Sequence, residues 1–524
     1  MQIGSVAQLQ LVSMATHKDT KSINVTLYYI MFYIKSMQGV KEYQEKLFIN
    51  FQLSNRIAKD NFYRRLKETV DLDFLYARTR SYYGTEGQKG IDPVVFFKLM
   101  LIGYIENICS DRKIVEQASM RIDMLYFLGY DIDESLPWHS TLSRTRQLYG
   151  QELFLEVFRK VLGLCVAKGM VNGKCQAVDS AYIKSNASLG SLVEKSLLEE
   201  SRNYLKKLTD NEESEKTENK KPRKRGAKLS NEDFSSTTDP DARISKKAYK
   251  SLQLNYSGQI SVDTDSHVIC GAMADFADKR DAQSLSDIVD QTCENLQAEN
   301  IKVKEVLADT NYSSGDALKY LEENNITGYI PNVGGYKNER EGFTYFPKED
   351  YYLCSQGVKL LFKAIAKRSN SDKKVKQYWS SKSDCINCPL KESCANKKGI
   401  KMIADTIDKP YYERMLQKVR GEKWLKMKKI RSSTVEPVLG TLLQFRGMKK
   451  VYTKGIDLAN KHVLLACTAY NIKKLLRCKP INSLAKSAEI TLIDIKTVFL
   501  SVLDSFYNLK RTRYGSLIQN LEKQ

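Results

Sequence analysis

The ten residues Cys175–Lys184 constrain this chain more than any other stretch. They read as a largely apolar β-strand with one acid, Asp179, near its middle. A carboxylate in such a setting is costly to bury unless another group pairs with it. Two other stretches share this character. Residues 303–309 run apolar into Asp309, and residues 433–440 carry Glu436 just before Pro437. A fold that brings the three acids together would relieve each of them if it also placed a cation among them.

The order of elements allows that convergence. Residues 252–263 and 267–275 alternate like two strands and are joined by Thr264-Asp265-Ser266, which predicts an antiparallel pair. A helix is expected over 283–299 and a strand over 303–308. Ser314 is placed to cap a helix over 315–325, and a further strand follows at 326–330. Strand, helix, strand in this order predicts that the last two strands are parallel. Helices are expected over 409–427, with Pro437 at a helix start or kink, and then over 462–476 and 490–507. The expected class is mixed α+β or α/β, with strand-borne aspartates meeting an acid from a flanking helix, as in the ribonuclease H-like fold.

Upstream, residues 37–170 are predicted to be helical, with helices over 60–83, 94–108 and 111–128. Asp92 serves as N-cap and Pro93 as the first helical residue of the second. Ser140 is expected to cap a short polar helix bearing Arg144 and Arg146, which has the character of a recognition helix. Residues 189–231 are strongly charged and include Lys220, Arg223, Lys224 and Arg225, a cluster of the kind that touches nucleic acid. The formal net charge of +21 and pI near 9.2 favour a polyanionic partner through counterion release.

Residues 25–34 are apolar, but ten residues are half of the roughly 20 that a membrane span needs. No membrane partner is therefore expected. Residues 1–36 read as an upstream extension before Met37, and 481–524 as a helical tail. The 11 cysteines are odd in number and mostly scattered, and no secretory signal stands out, so a reducing cytoplasm is expected. One grouping is not scattered. Within 341–403, Cys385-x2-Cys388-x5-Cys394 follows Cys354, a set that can close a tetrahedral zinc site. Three carboxylates, by contrast, suit Mg2+ or Mn2+, and a pair of such ions about 4 Å apart serves phosphodiester chemistry.

Several blocks together resemble a known family. Residues 177–188 (AVDSAYIKSNAS), 238–243 (TDPDAR), 307–315 (LADTNYSSG), 435–440 (VEPVLG) and 469–475 (AYNIKKL) are similar to blocks of bacterial insertion-sequence DDE transposases, IS-eleven-eighty-two type. Residues 91–98 (IDPVVFFK) and 137–144 (PWHSTLSR) resemble the helical domain that accompanies that core. The likeness runs from Met37 to Leu476.

It implies a helical DNA-binding domain over 37–170 and a ribonuclease H-like domain over 171–480 with a cysteine-bearing insertion over 341–403. It implies that Asp179, Asp309 and Glu436 bind two metal ions, and that the partners are the element's terminal inverted repeats and target DNA. A homodimer or higher assembly on DNA, in the nucleoid, is the matching expectation. The wider superfamily often carries Tyr-x2-Arg-x3-Glu with a Lys one or two turns later. Here Lys429, Ser432 and Leu443 stand at those spacings, which leaves Arg431 and Arg446 as candidates for phosphate contact. A decayed or repurposed DNA-binding protein, or a nuclease that cuts without joining, are the alternatives.

Overall fold

The computed structural model describes residues 51–84, 86, 89–199, 229–246, 251–332, 340–368 and 371–478. The extension 1–36, the basic residues Lys220, Arg223, Lys224 and Arg225, and the tail 481–524 lie outside them. The chain divides into two units at Arg56/Ile57. The first contributes one described helical turn, Leu53–Arg56. Everything below belongs to the second.

The helical segment holds α1 (Phe62–Thr69), α2 (Phe74–Thr79), α3 (Pro93–Glu106), α4 (Asp111–Met120), α5 (Ile122–Leu128), α6 (His139–Leu148) and α7 (Gln151–Ala167). Two helices expected to be continuous are broken. Between α1 and α2, Val70 and Leu72 turn inward and the Asp71 carboxylate accepts from the Asp73 N–H. Between α4 and α5, Arg121 adopts extended backbone while its guanidinium grips Asp123 at 2.7 and 3.1 Å. In both cases a local carboxylate offers the backbone or a neighbour a better partner than helix continuation does. Ser140 is also not a cap: α6 opens at His139, one residue earlier. Asp92 does cap α3, accepting from Val94 and Val95 N–H at 2.7 and 3.1 Å, with Pro93 at the first position. Helix α3 is buried on nearly every side, so its apolar run is core. Among the described residues no single helix is long and apolar enough to cross a membrane.

Strand β1 (Cys175–Lys184) is followed by the small pair β2 (Leu192–Glu194) and β3 (Phe234–Ser236), and then by β4 (Arg243–Ser245), β5 (Gln253–Asp263) and β6 (Ile269–Phe276). Helix α8 (Asp281–Gln297), β7 (Glu305–Leu307), α9 (Gly315–Glu323) and β8 (Thr327–Tyr329) complete the main sheet. Its order is β4-β5-β1-β7-β8, with β6 sharing β5's outer edge with β4. The predicted hairpin β5–β6 is antiparallel, and β7 and β8 are parallel to β1. Ser314 caps α9 as expected, accepting from Ala317 N–H.

The insertion is a second sheet, β9 (Phe343–Phe346), β10 (Tyr351–Cys354), β11 (Lys359–Arg368), β12 (Ser371–Trp379) and β13 (Met402–Thr406), paired in chain order and all antiparallel. It has its own small core of Tyr352, Leu360, Tyr378 and Ile403. Helix α10 (Lys409–Arg420) then leads to α11 (Glu422–Phe445) and α12 (Ile456–Arg477).

Helix α12 joins the two halves. It packs on α7 and α3 on one side and on β6 on another. Asn471 Oδ1 accepts from Ile269 N–H at 3.0 Å and its amide donates to Ile269 O at 2.8 Å, while Asn460 Oδ1 accepts from Ala274 N–H. These side chains satisfy the exposed edge of β6. The TDPDAR turn supports the same helix: the buried Asp239 accepts from Tyr256 OH and Gly455 N–H, and Asp241 accepts from Ile456 N–H. The boundary expected at 170/171 therefore separates no two cores, because one apolar cluster runs from Tyr63 to Leu476. Phe158→Ala, in the α7 face against this cluster, is expected to cost about 3–5 kcal/mol. It should lower one shared melting transition by calorimetry; an early melting step confined to the helical half would contradict a common core.

Candidate active site

Register sets the site. Strands β1 and β7 pair Cys175 with Glu305, Gln176 with Val306 and Ala177 with Leu307. Asp179 and Asp309 each lie two residues beyond the last pair, so they come level on the same side of the sheet. There the strands part: β1 continues against β5, with Asp179 opposite Ile260, while Asp309 opens a 3-10 turn at Thr310–Tyr312. The Asp309 carboxylate accepts from the N–H of Asn311 at 2.9 Å and from its side-chain amide at 3.2 Å.

Helix α11 supplies the third acid. Val435, Val438 and Leu442 bury one face of it, and the chain beyond it hydrogen-bonds to the end of β1 through Lys184 N–H to Lys449 O and Val451 N–H to Lys184 O. Glu436 projects from the opposite side and is 62% exposed. Pro437 lies inside α11 rather than at its start, so the carbonyl of the exposed Ser433 has no helical donor. Arg431 connects the acids. Its Nη1 donates to Asp179 Oδ2 at 3.1 Å and its Nη2 stands 3.7 Å from Glu436 Oε1.

Sequence reasoning missed a fourth acid, Asp281, the first residue of α8. It accepts from Ser180 Oγ at 2.7 Å and from Gln259 Nε2 at 3.2 Å, and the buried Tyr312 hydroxyl donates to Gln259 Oε1 at 2.5 Å. An acid opening a helix after a third strand is unremarkable locally; only the sheet brings it beside Asp179. Burial, with repulsion from Asp309 and Asp281, pushes the Asp179 carboxyl up to about 6, against the Ser180 N–H and Arg431, which pull it down. Burial, with repulsion from Asp281, also raises Asp309.

Other expected contacts resolve differently. Arg146 is half-buried and holds Asp111 by two hydrogen bonds of 2.6 and 3.1 Å, tying α6 to α4. Arg446 is buried and donates to the carbonyls of Ile105 and Phe445. Neither guanidinium is available to a phosphate, because each already satisfies a structural partner. Arg144 is exposed and donates to Ser140 Oγ at 3.3 Å, so those two remain on the surface of α6. Cys354, Cys385, Cys388 and Cys394 line one cavity of about 30 Å3, with Cys354 Sγ accepting from Val358 N–H and Cys385 Sγ donating to Ser380 Oγ. Among the described residues no three His, Cys, Asp or Glu side chains are arranged to hold one metal ion; Arg431 bridges two of the acids instead.

Two family models match. Residues 51–148 match a transposase domain (DUF772), and residues 353–476 match a transposase DDE domain. The chain carries both a transposase domain and a transposase DDE domain. It is thus an enzyme of DNA transposition, and DDE domains use divalent metal ions. The DDE match contains Glu436, Arg431 and the four cysteines; Asp179 and Asp309 precede it. No curated protein matches the transposase. Among solved structures, a piggyBac transposase synaptic complex with hairpin DNA aligns over 80% of this chain and 74% of its own at 10% identity, with a TM-score of 0.29. A Mos1 transposase paired-end complex aligns over 59% and 78%, at 10% identity and a TM-score of 0.14.

The acids suit a divalent cation in chemistry, since all they offer is carboxylate oxygen, but here Arg431 holds two of them and they would have to draw closer around an ion. The Asp179 carboxyl is raised mainly by burial, with repulsion from Asp309 and Asp281 added. The sign of the pH dependence follows. A carboxyl raised in the fold stabilises it fully below the ordinary value near 4, and that contribution is lost as pH rises through about 6. Above pH 6 the metal-free transposase carries a penalty on the order of 3 kcal/mol from this group. Metal-free Asp179→Asn should melt a few degrees higher than the parent at pH 7.5, with the gap closing toward pH 4. A parent protein that melts higher at pH 7.5 would contradict a raised Asp179 carboxyl.

Proposed function

We propose that Asp179, Asp309 and Glu436 hold the divalent ions, Mg2+ or Mn2+, with which this transposase cuts its element ends and joins them to target DNA. The observation that carries this is the level placement of Asp179 and Asp309 by the β1–β7 register, with Arg431 linking Asp179 to Glu436. The strand order β6-β5-β1-β7-β8, three antiparallel and then two parallel, supports a ribonuclease H-like core. The motif blocks support the IS-eleven-eighty-two type.

When bound, the ions activate the attacking oxygen and stabilise the leaving one. The chain's own groups prepare that chemistry. Asp179 and Asp309 stand level at neighbouring strands, where burial raises both carboxyls. Ser180, Gln259 and Tyr312 fix Asp281 beside them. Arg431, which here holds Asp179 and stands beside Glu436, would be placed to contact the phosphodiester if a cation took over the charge of those carboxylates. Exposed Lys426, Lys428 and Lys429 on the same helix extend a basic approach for the DNA backbone. Water attacks at the element end, and the freed 3′-hydroxyl then attacks target DNA, both in line. Ser140 and Arg144 on α6 meet end DNA, and the enzyme works as a dimer or larger assembly in the nucleoid. The four cysteines hold a structural zinc ion that braces the insertion.

Asp179→Asn, Asp309→Asn and Glu436→Gln should each reduce cleavage of end-containing DNA to background while retaining end binding in a mobility-shift assay. Retained cleavage in any one removes that residue from the set. Arg431→Ala should lower cleavage about ten- to a hundredfold, the worth of a charge-assisted hydrogen bond, with Arg431→Lys recovering part. Strand-transfer product separates a transposase from a nuclease that only nicks. Metal analysis should find near-stoichiometric zinc, lost in Cys388→Ser; its absence from the parent protein would refute the zinc site.

A further inference from the structure

The two faces of the insertion sheet differ. Tyr345, Tyr352, Leu360, Tyr378 and Ile403 point to one side and form its core. On the other side the register runs Phe346↔Tyr351↔Leu361↔Trp379↔Met402, one residue from each of the five strands in a single row. Phe346 and Tyr351 stack at 4.9 Å with ring planes 8° apart. Leu361 is 59% exposed and Met402 40%. Two cations lie on the same face: Lys359 Nζ is 5.0 Å from the centre of the Tyr351 ring, and Lys363 Nζ, at the β-bulge of β11, is 5.0 Å from that of Trp379.

A solvent-facing row of this composition is not needed by the core behind it. Exposed apolar rows mark binding surfaces. The charge selects the occupant. Residues 340–406 carry 14 Lys and Arg against seven Asp and Glu, and the lysines stand over the rings themselves. Aromatic faces that alternate with cations accept unpaired bases by stacking and their phosphates by charge. A flat duplex would hide its bases from such a row. At the usual strand spacing the row is roughly 20 Å long, enough for a few nucleotides. We propose that this outer face of the insertion sheet binds single-stranded DNA, holding a strand that transposition leaves unpaired. The proposal rests on the transposase reading for its substrate but not on the catalytic acids.

The test uses the full chain carrying Asp179→Asn, without divalent metal, so its outcome does not depend on cleavage. Of the three tryptophans, Trp138 and Trp424 are replaced by Phe, leaving Trp379 as the reporter. The probes are a 20-nucleotide oligothymidylate and a 20-base-pair duplex without end sequence. The oligothymidylate should bind and quench Trp379 emission. Leu361→Glu and Lys363→Glu, both at exposed positions, should each weaken that binding about fivefold or more and leave duplex binding nearly unchanged. Read instead by the anisotropy of a fluorescein-labelled oligothymidylate, because the reporter itself is removed, Trp379→Leu should lose as much and Trp379→Tyr should recover it, which keeps the test open if a charge variant fails to fold. Three results would overturn the proposal: no quench, equal losses on single strand and duplex, or unchanged single-strand affinity with altered sedimentation, which would make the face a self-association surface. Loss of cleavage by the parent enzyme with this binding intact would instead count against the catalytic reading alone.

Discussion

Strand β1 is the constraint on which the site depends. It is hydrogen-bonded to β5 along nearly its whole length and to β7 over only its first three residues. That short parallel ladder is enough to set Asp179 level with Asp309, and its early end opens the space between them. A shift of one residue would turn Asp179 to the other face of the sheet. The backbone therefore keeps both carboxylates on one side of the sheet, where burial, with repulsion from neighbouring acids added, raises them. Arg431 partly offsets this rise, and metal binding would do so more fully.

A second dependence runs through α12. This helix fills the groove between α3, α7 and β6, and its Asn460 and Asn471 complete the edge of β6. Because β6 leads directly into α8, the same contact positions Asp281. The helical segment is thus part of the scaffold of the active site. That explains why two arginines expected at DNA, Arg146 and Arg446, are used for packing between elements: Arg146 joins α6 to α4 and Arg446 joins α11 to α3.

The short signals were legible where the physics is local. Asp92 with Pro93, Ser314 before α9, and the alternation of 252–263 against 267–275 are each decided by neighbours within a few residues. The breaks at Val70–Asp73 and Arg121 were not, since they depend on burial and on a carboxylate finding a partner in space. Asp281 shows the same limit. Its sequence context is an ordinary helix start, and its importance comes from Ser180 and Gln259, which are 101 and 22 residues away. Alternation along β9 to β13 was available in principle, but the row from Phe346 to Met402 exists only once four registers are fixed.

The sequence by itself determined which acids are candidates and in what order they arrive. An acid in or at the end of an apolar strand is anomalous wherever that strand goes, so Asp179 and Asp309 stood out before any fold was known, whereas Glu436, on a helix, was singled out by the resemblance of its block. Tertiary structure alone decided their surroundings: the level placement of two of them, the guanidinium between Asp179 and Glu436, the fourth carboxylate behind them, and which basic residues are free to meet DNA. Composition and local pattern fix the charge of a residue, whereas pairing and burial, which are long-range, decide what that charge is used for.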